Sequence, residues 1–222
     1  ASGPLTSESL SQSIREFCGA DHLYFYDAIS PIVDADTIDR SKVYRASRYG
    51  KASDDYLNCP MDRDEYGAFY DALIEAESVA IHDFEEAHYF ESCLPIEELA
   101  RRGRDTLRFG PMRPVGLQDP SGRIPYAVVQ LRQEDLMQSS YNIVGFQNHL
   151  KFADQKRVFR MIPGLGRAEF LRLGQIHRNT YINAPQILLP TMATGKDERL
   201  FFGGQLAGTE GYIENIASGL VA

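Results

Sequence analysis

Leu200-Phe201-Phe202-Gly203-Gly204-Gln205-Leu206-Ala207-Gly208-Thr209-Glu210-Gly211-Tyr212 is the stretch from which the fold class is read. The apolar triplet predicts a buried strand, the glycines a tight turn, and Ile213, Ile216 and Leu220 one face of a following helix. Strand, glycine-rich turn and helix N-terminus in that order make an anion cradle, because unpaired backbone N–H groups point outward there. Tight packing alone explains such a turn equally well. The helix meets no stop signal before Ala222, so the sequence reads as ending inside a domain.

Upstream, helical and extended patterns alternate, which predicts an α/β fold. Thr6 or Ser7 can cap a helix with the stripe Leu10, Ile14 and Phe17, closed by Gly19. His22–Tyr26 and Ile32-Val33 read as strands, and Asp34 to Asn58 as loops and short strands. Asp62 and Glu65 form a capping-box pattern before Tyr66, Phe69, Tyr70, Leu73 and Ile74, an amphipathic helix to about Glu77. Cys93-Leu94-Pro95-Ile96-Glu97-Glu98 opens another helix, which ends at Arg101-Arg102-Gly103. Strands are predicted at Tyr126–Leu131, Tyr141–Phe146 and Ala184–Leu189, and a helix around Gln147–Met161.

The chain has 222 residues, 43% of them hydrophobic and 24% charged, an ordinary globular composition. No apolar run approaches the ~20 residues needed to cross a bilayer, and no signal peptide is visible at the N-terminus. Three widely spaced cysteines without a CxxC pair argue for reduced thiols in a cytosol, not for a disulfide framework. The histidines show no HxH or HxxxH spacing, so no metal site is expected. The net charge of −8 hides an asymmetry: residues 1–98 hold seven Lys/Arg against 21 Asp/Glu, and residues 99–180 hold 14 against six. A basic block in an acidic chain is the footprint of a polyanionic partner, or else it neutralises the acidic block by packing on it.

Cys93 stands out among the thiols because a helix N-terminus and Arg101, Arg102 and Arg104 favour its thiolate, while Glu97 and Glu98 oppose it. A thiolate can add to C6 of a pyrimidine and make C5 nucleophilic; a buried structural thiol is the other reading. Cys18 and Cys59 read as structural. His177-Arg178-Asn179-Thr180 reads as a solvated loop or as a contact for a phosphate or pterin. Arg101, Arg102, Arg104, Arg108, Arg113, Lys151, Lys156, Arg157 and Arg160 are interleaved with Phe109, Phe146, Phe152 and Phe159. That mixture suits an unstacked RNA loop, with a solvated basic face over an aromatic core as the alternative.

Several ordered blocks resemble the folate- and FAD-dependent tRNA (uracil-5-)-methyltransferase family. They are GPLTS (3–7), LYFYDAISPIV (23–33), KVYRASRYGK (42–51), YLNCPM (56–61), FESCLPIEELARRGRDTLRFGPMRPVGL (90–117), PYAVVQLRQE (125–134), YNIVGFQNHLKFADQKRVFRMIPGL (141–165), HRNTYINAP (177–185) and LFFGGQLAGTEGYIENIASGL (200–220). Flavoproteins of the GidA type share the architecture, but these blocks look less like theirs. The resemblance implies a Rossmann-type FAD-binding domain interrupted by an α/β insertion domain. Residues 1–58 are then part of the FAD-binding domain, 59–193 the insertion, and 194–222 the return. It implies methylene transfer from methylenetetrahydrofolate to C5 of a T-loop uridine in tRNA, reduction by FADH2, and NADH or NADPH as the source of electrons. Ribosomal RNA as substrate, a flavoprotein reductase that does not act on RNA, and a non-enzymatic RNA-binding fragment are the rivals. Cys93 matches the family's covalent-catalysis cysteine. Gly203, Gly204, Gln205, Gly208, Glu210, Gly211 and Tyr212 match its flavin-facing turn, and Arg101, Arg102, Arg104, Lys151, Lys156 and Arg157 are the expected RNA contacts. Two departures are visible: Ser92 stands where the family has glycine, and the N-terminal GxGxxG and second catalytic cysteine are absent. The 222 residues by themselves are therefore expected to hold FAD weakly and to be inactive.

Overall fold

The computed structural model describes residues 6–19, 23–50, 56–79, 94–209 and 211–222; among them, the side chains of 23–27 and of His177 and Arg178 are not described. The backbone divides into two compact units. The described residues of Ala28–Glu85 and Glu91–Ile176 form the larger, and those of Ala1–Asp27 and His177–Ala222 the smaller.

The larger unit is built on a six-stranded sheet of order β3-β4-β5-β6-β2-β7: Tyr44–Arg45, Tyr56–Met61, Ala127–Gln133, Ser140–Ile143, Ile32–Asp34 and Phe170–Arg172. Its neighbours pair antiparallel, and β4 runs in continuous register against β5 from Tyr56↔Arg132 to Met61↔Ala127. Leu57, Cys59 and Met61 are buried on alternate positions of β4, and Val129 and Leu131 of β5 join them in one core. Asn58 faces the other way and is still wholly buried, so its amide must be satisfied: Nδ2 donates to the carbonyls of Ala46 and Tyr44, and Oδ1 accepts from Gln130.

Helix α2 (Arg63–Ile74) starts at Asp62 with the predicted capping box, Asp62 accepting from Glu65 N while Glu65 accepts from Asp62 N. The 3.6-residue spacing puts Tyr66, Phe69 and Leu73 into the core. There Phe69, Phe146 and Phe159 meet ring to ring at centroid distances of 6.1 and 5.5 Å. Each such buried ring contributes about 1.5–3 kcal/mol. Helices α3 (Ile96–Arg101), α4 (Thr106–Phe109) and α5 (Phe152–Phe159) cover the same core with Ile96, Leu107 and Phe159.

In the smaller unit, α1 (Glu8–Cys18) is capped by Ser7 and closed by left-handed Gly19, as its sequence predicts. Strands β1 (Leu23–Ala28) and β8 (Ile176–Tyr181) pair, followed by α6 (Ala184–Ile187) and α7 (Tyr212–Val221). Its own small core is Ile14, Ile182 and Phe202.

Several expectations are corrected. Ala184–Leu189 is not a strand: Pro185 sits in the first turn of α6, where its missing N–H and fixed φ suit a helix. The strand lies earlier, at β8, so His177–Thr180 is not a solvated loop; Asn179 and Thr180 are buried. Leu200–Phe202 is not a buried strand. Phe201 makes one bridge to Ala193, Leu200 and Phe201 are each about 40% exposed, and only Phe202 enters the core. The helix expected from Gln147 begins at Phe152, because Leu150 is held in a bridge to Ser78. Residues 58 and 59 both lie in β4, which pairs with β5 along its length, and residues 193 and 194 both lie in the smaller unit.

Candidate functional site

Three sets of residues bear on chemistry: the glycine-rich turn, the segment after Cys93, and the cations of the basic block. In the turn, Gly203 leads into a single helical turn, Gly204–Ala207, closed by Gly208 at φ 81°. Helix α7 holds that shape: Gly204 N donates to Ser218 Oγ at 2.7 Å, Thr209 Oγ1 to Asn215 Oδ1 at 2.9 Å, and Asn215 Nδ2 to Gly211 O at 2.7 Å. Asn215 and Ser218 carry no signal in the sequence beyond their place on a helix. Gly211, at φ 94°, caps α7 without a side chain, and Tyr212 and Ile213 stand exposed. A Cβ on Gly208 would meet nothing within 4 Å, so its backbone borders open space. That space is a cavity of about 740 Å³ lined by Tyr181, Ile182, Pro185, Leu189, Gly208 and Thr209 among others. Asn179 is buried on β8, outside the lining of this cavity, and its Oδ1 has no hydrogen-bond partner among the described residues. Apolar walls, exposed glycine backbone and a few polar atoms are the makings of a cofactor pocket. Of the expected flavin contacts, Gly203, Gly204, Gln205, Gly208, Gly211 and Tyr212 lie on this turn; Glu210 lies outside the described residues.

Cys93 also lies outside the described residues. The segment that follows it is firmly anchored. Ile96 N donates to Gln147 O at 2.8 Å, and His149 N donates to Glu97 Oε1 at 2.8 Å. Glu97 is wholly buried, and the same oxygen lies 2.8 Å from His149 Nδ1. Glu97 clamps α3 to residues 147–150. The sequence hides this pair because its members are 52 residues apart. Cys59 is buried in the sheet, and burial raises its thiol pKa far above the ordinary range. Cys18 ends α1, half-buried, its pKa raised by burial against the opposing field of Lys196. Neither is an activated thiolate.

Most of the expected RNA-contacting cations have carboxylate partners. Arg104 bridges Asp71 through both carboxylate oxygens at 2.6 and 3.2 Å, Arg157 pairs with Asp154 at 2.7 Å, Arg101 with Glu98, and Lys151 with Glu77. The hydrogen bond from Arg104 lowers the Asp71 pKa, and that from Arg157 lowers the Asp154 pKa. Arg108 pairs with Asp105 and stacks 3.6 Å over Tyr126. Arg102 and Lys156 are exposed. Of the interleaved aromatics, Phe146 and Phe159 are core while Phe109 and Phe152 face solvent. Among the described residues no group of three metal-ligating side chains occurs, and no helix is long and apolar enough to cross a membrane.

The profile of the family described as "Glucose inhibited division protein A" matches residues 1–222. Curated relatives named methylenetetrahydrofolate–tRNA-(uracil-5-)-methyltransferase TrmFO include those of Koribacter versatilis, Solibacter usitatus and Enterococcus faecalis. They are 64%, 61% and 58% identical over all of this chain, which covers 50%, 51% and 51% of them. The chain thus spans about half the length of the curated relatives it matches. Among solved structures, Aquifex aeolicus GidA in its form II and form I crystals superposes with TM-scores of 0.63 and 0.60 at 17% identity. The match covers 97% and 95% of this chain and 33% and 35% of those chains. At that identity the likeness is one of fold.

Proposed function

This chain belongs to the glucose inhibited division protein A family, and from that premise we propose that it is part of a methylenetetrahydrofolate-dependent tRNA (uracil-5-)-methyltransferase. The observation that carries the proposal is identity of 58–64% across the whole chain to relatives that share that one name. The smaller unit is then a portion of a FAD-binding domain and the larger unit the insertion. Gly203, Gly204, Gln205, Gly208, Gly211 and Tyr212, with Glu210, hold the flavin. The cavity at Gly208 and the rigid turn fit such a group. When bound, the flavin supplies the electrons that reduce a folate-derived methylene to methyl, and NADH or NADPH restores them.

Cys93 is the nucleophile. Its thiolate adds to C6 of the uridine, and the electron pair of the C5–C6 double bond moves to C5, which takes up the one-carbon unit. Loss of the C5 proton breaks the methylene's bond to the folate nitrogen and leaves an exocyclic methylene; once a hydride has reached that carbon, departure of the thiolate from C6 restores the C5–C6 double bond. Two observations support Cys93 over the other thiols of this chain: Cys59 is walled into the core, and Cys18 has its pKa raised. Glu97 and His149 fix the backbone that follows the nucleophile.

T-arm RNA carrying 5-fluorouridine tests this, because fluorine at C5 cannot leave as a proton does and the S–C6 bond persists. The longer protein of which these residues are proposed to be part, with flavin bound, is expected to give an adduct that survives denaturation, and its Cys93→Ala variant to give none. An adduct that persists in Cys93→Ala moves the nucleophile elsewhere. No adduct with either protein overturns the reading.

A further inference from the structure

We propose that Tyr49, backed by Gly116 and flanked by Arg48 and Arg113, is a stacking platform for an unpaired RNA base, with the two arginines holding the adjacent phosphate. The proposal rests on the RNA-directed reading above and assigns a face to it. Tyr49 has φ 62°, ψ 25°, a left-handed conformation that costs an aromatic residue about 1–2 kcal/mol. Surrounding contacts impose it. Tyr49 N donates to Gly116 O at 2.8 Å, and Gly50 N donates to Ser47 O at 3.3 Å. The ring lies flat on Gly116, where an ideal Cβ would sit 2.9 Å from Cε1 and 3.0 Å from Cζ, closer than any side chain allows. Gly116 thus backs the Cδ1–Cε1–Cζ side of the ring, while the residue as a whole stays 64% exposed. A large apolar ring held open to water at the expense of backbone strain is unexplained by packing. It is what a sequence-tolerant base stack requires.

The charges beside it point the same way. Arg48 is tied down by neutral acceptors: Nε donates to Gln130 Oε1 at 3.1 Å and Nη1 to Val115 O at 2.7 Å. Gln130 is in turn fixed by buried Asn58 at 2.9 Å, so the guanidinium is positioned from the sheet outward. Arg113 lies close enough to depress the Arg48 pKa further, after burial, which is the larger cause. Among the described residues neither arginine has a carboxylate within ion-pair distance, in contrast to Arg101, Arg104, Lys151 and Arg157. Two neighbouring like charges have no carboxylate partner among the described residues, and a phosphate supplies one.

The test is fluorescence anisotropy of a labelled T-arm stem-loop titrated with the 222-residue chain at several salt concentrations. Tyr49→Asn removes the ring and places a residue that tolerates left-handed φ, so the fold is kept; Kd is expected to rise about tenfold or more. Tyr49→Phe is expected to bind as the unaltered chain does. Gly116→Ala, which displaces the ring, is expected to match Tyr49→Asn, with circular dichroism confirming its fold. Arg113→Gln is expected to reduce the slope of log K against log salt by about one. Unchanged affinity in Tyr49→Asn and Arg113→Gln, while the parent still binds, overturns the platform and leaves the methyltransferase reading standing. No RNA binding by the parent overturns the platform; the fluorouridine adduct, read separately, then decides the fate of the enzyme reading.

Discussion

Two regions of the larger unit carry arginines, and they differ in what those arginines do. Around α2, α3 and α5 most of the cations are answered: Arg104 by Asp71, Arg157 by Asp154, Lys151 by Glu77 and Arg101 by Glu98. Around residues 48 and 113 they have no carboxylate partner among the described residues, and the neighbouring side chain is an exposed tyrosine in a strained conformation. The difference teaches that a basic segment locates cations without saying whether they are available. The acidic stretch 1–98 and the basic stretch 99–180 meet in ion pairs where α2 faces α3 and α5.

The sharpest way to break that contrast is a pair of double variants. Tyr49→Asn with Arg113→Gln is expected to weaken RNA binding roughly a hundredfold, the two contributions adding. Arg104→Gln with Arg157→Gln is expected to change it less than about threefold, since exposed cations already engaged by carboxylates have little to offer a phosphate. Equal losses in the two anisotropy titrations would erase the distinction. Next in size is Asn58→Ala, which strips the carbonyls of Ala46 and Tyr44 and the amide of Gln130 of a buried partner. Urea unfolding is expected to show a loss of about 1–3 kcal/mol. A stability change near zero would mean that Arg48 is not positioned from the sheet.

The smallest effect separates the regions by pH. Asp71 and Asp154 have folded pKa values lowered by Arg104 and Arg157. The stability they contribute is present above the unfolded carboxylate pKa of about 3.9 and is lost as pH falls through the folded values. Denaturation midpoints are expected to decline modestly on acidification below about pH 4, and less so in Arg104→Gln with Arg157→Gln. An acid profile identical in parent and variant would show that these pairs do not act as drawn.

Local chemistry made part of this legible. The capping box at Asp62–Glu65, the Ser7 and Gly19 ends of α1 and the strand at Ala127–Gln133 depend on neighbours within a few residues, and they were readable as such. Strand β8 was not, because Asn179 and Thr180 are polar yet buried, and helix α6 was not, because four residues give no periodicity. The glycine-rich turn was visible, but its bracing by Asn215 and Ser218 was not. Long-range partners decided the rest. Glu97 meets His149 across 52 residues, Arg104 meets Asp71 across 33, and the conformation of Tyr49 is set by a glycine far along the chain. Pairing of that kind is a property of the folded surface, and no count of charges foretells it.

The claim at the centre of this account is that RNA is read by the unanswered arginines and the open tyrosine. A T-arm stem-loop with photoreactive 4-thiouridine in the loop, irradiated on the protein and mapped by mass spectrometry, addresses it directly. Crosslinks are expected on the peptides holding Tyr49 and Arg113. Crosslinks confined to the peptides of Arg101, Arg104 and Arg157, with none at Tyr49 or Arg113, would contradict it.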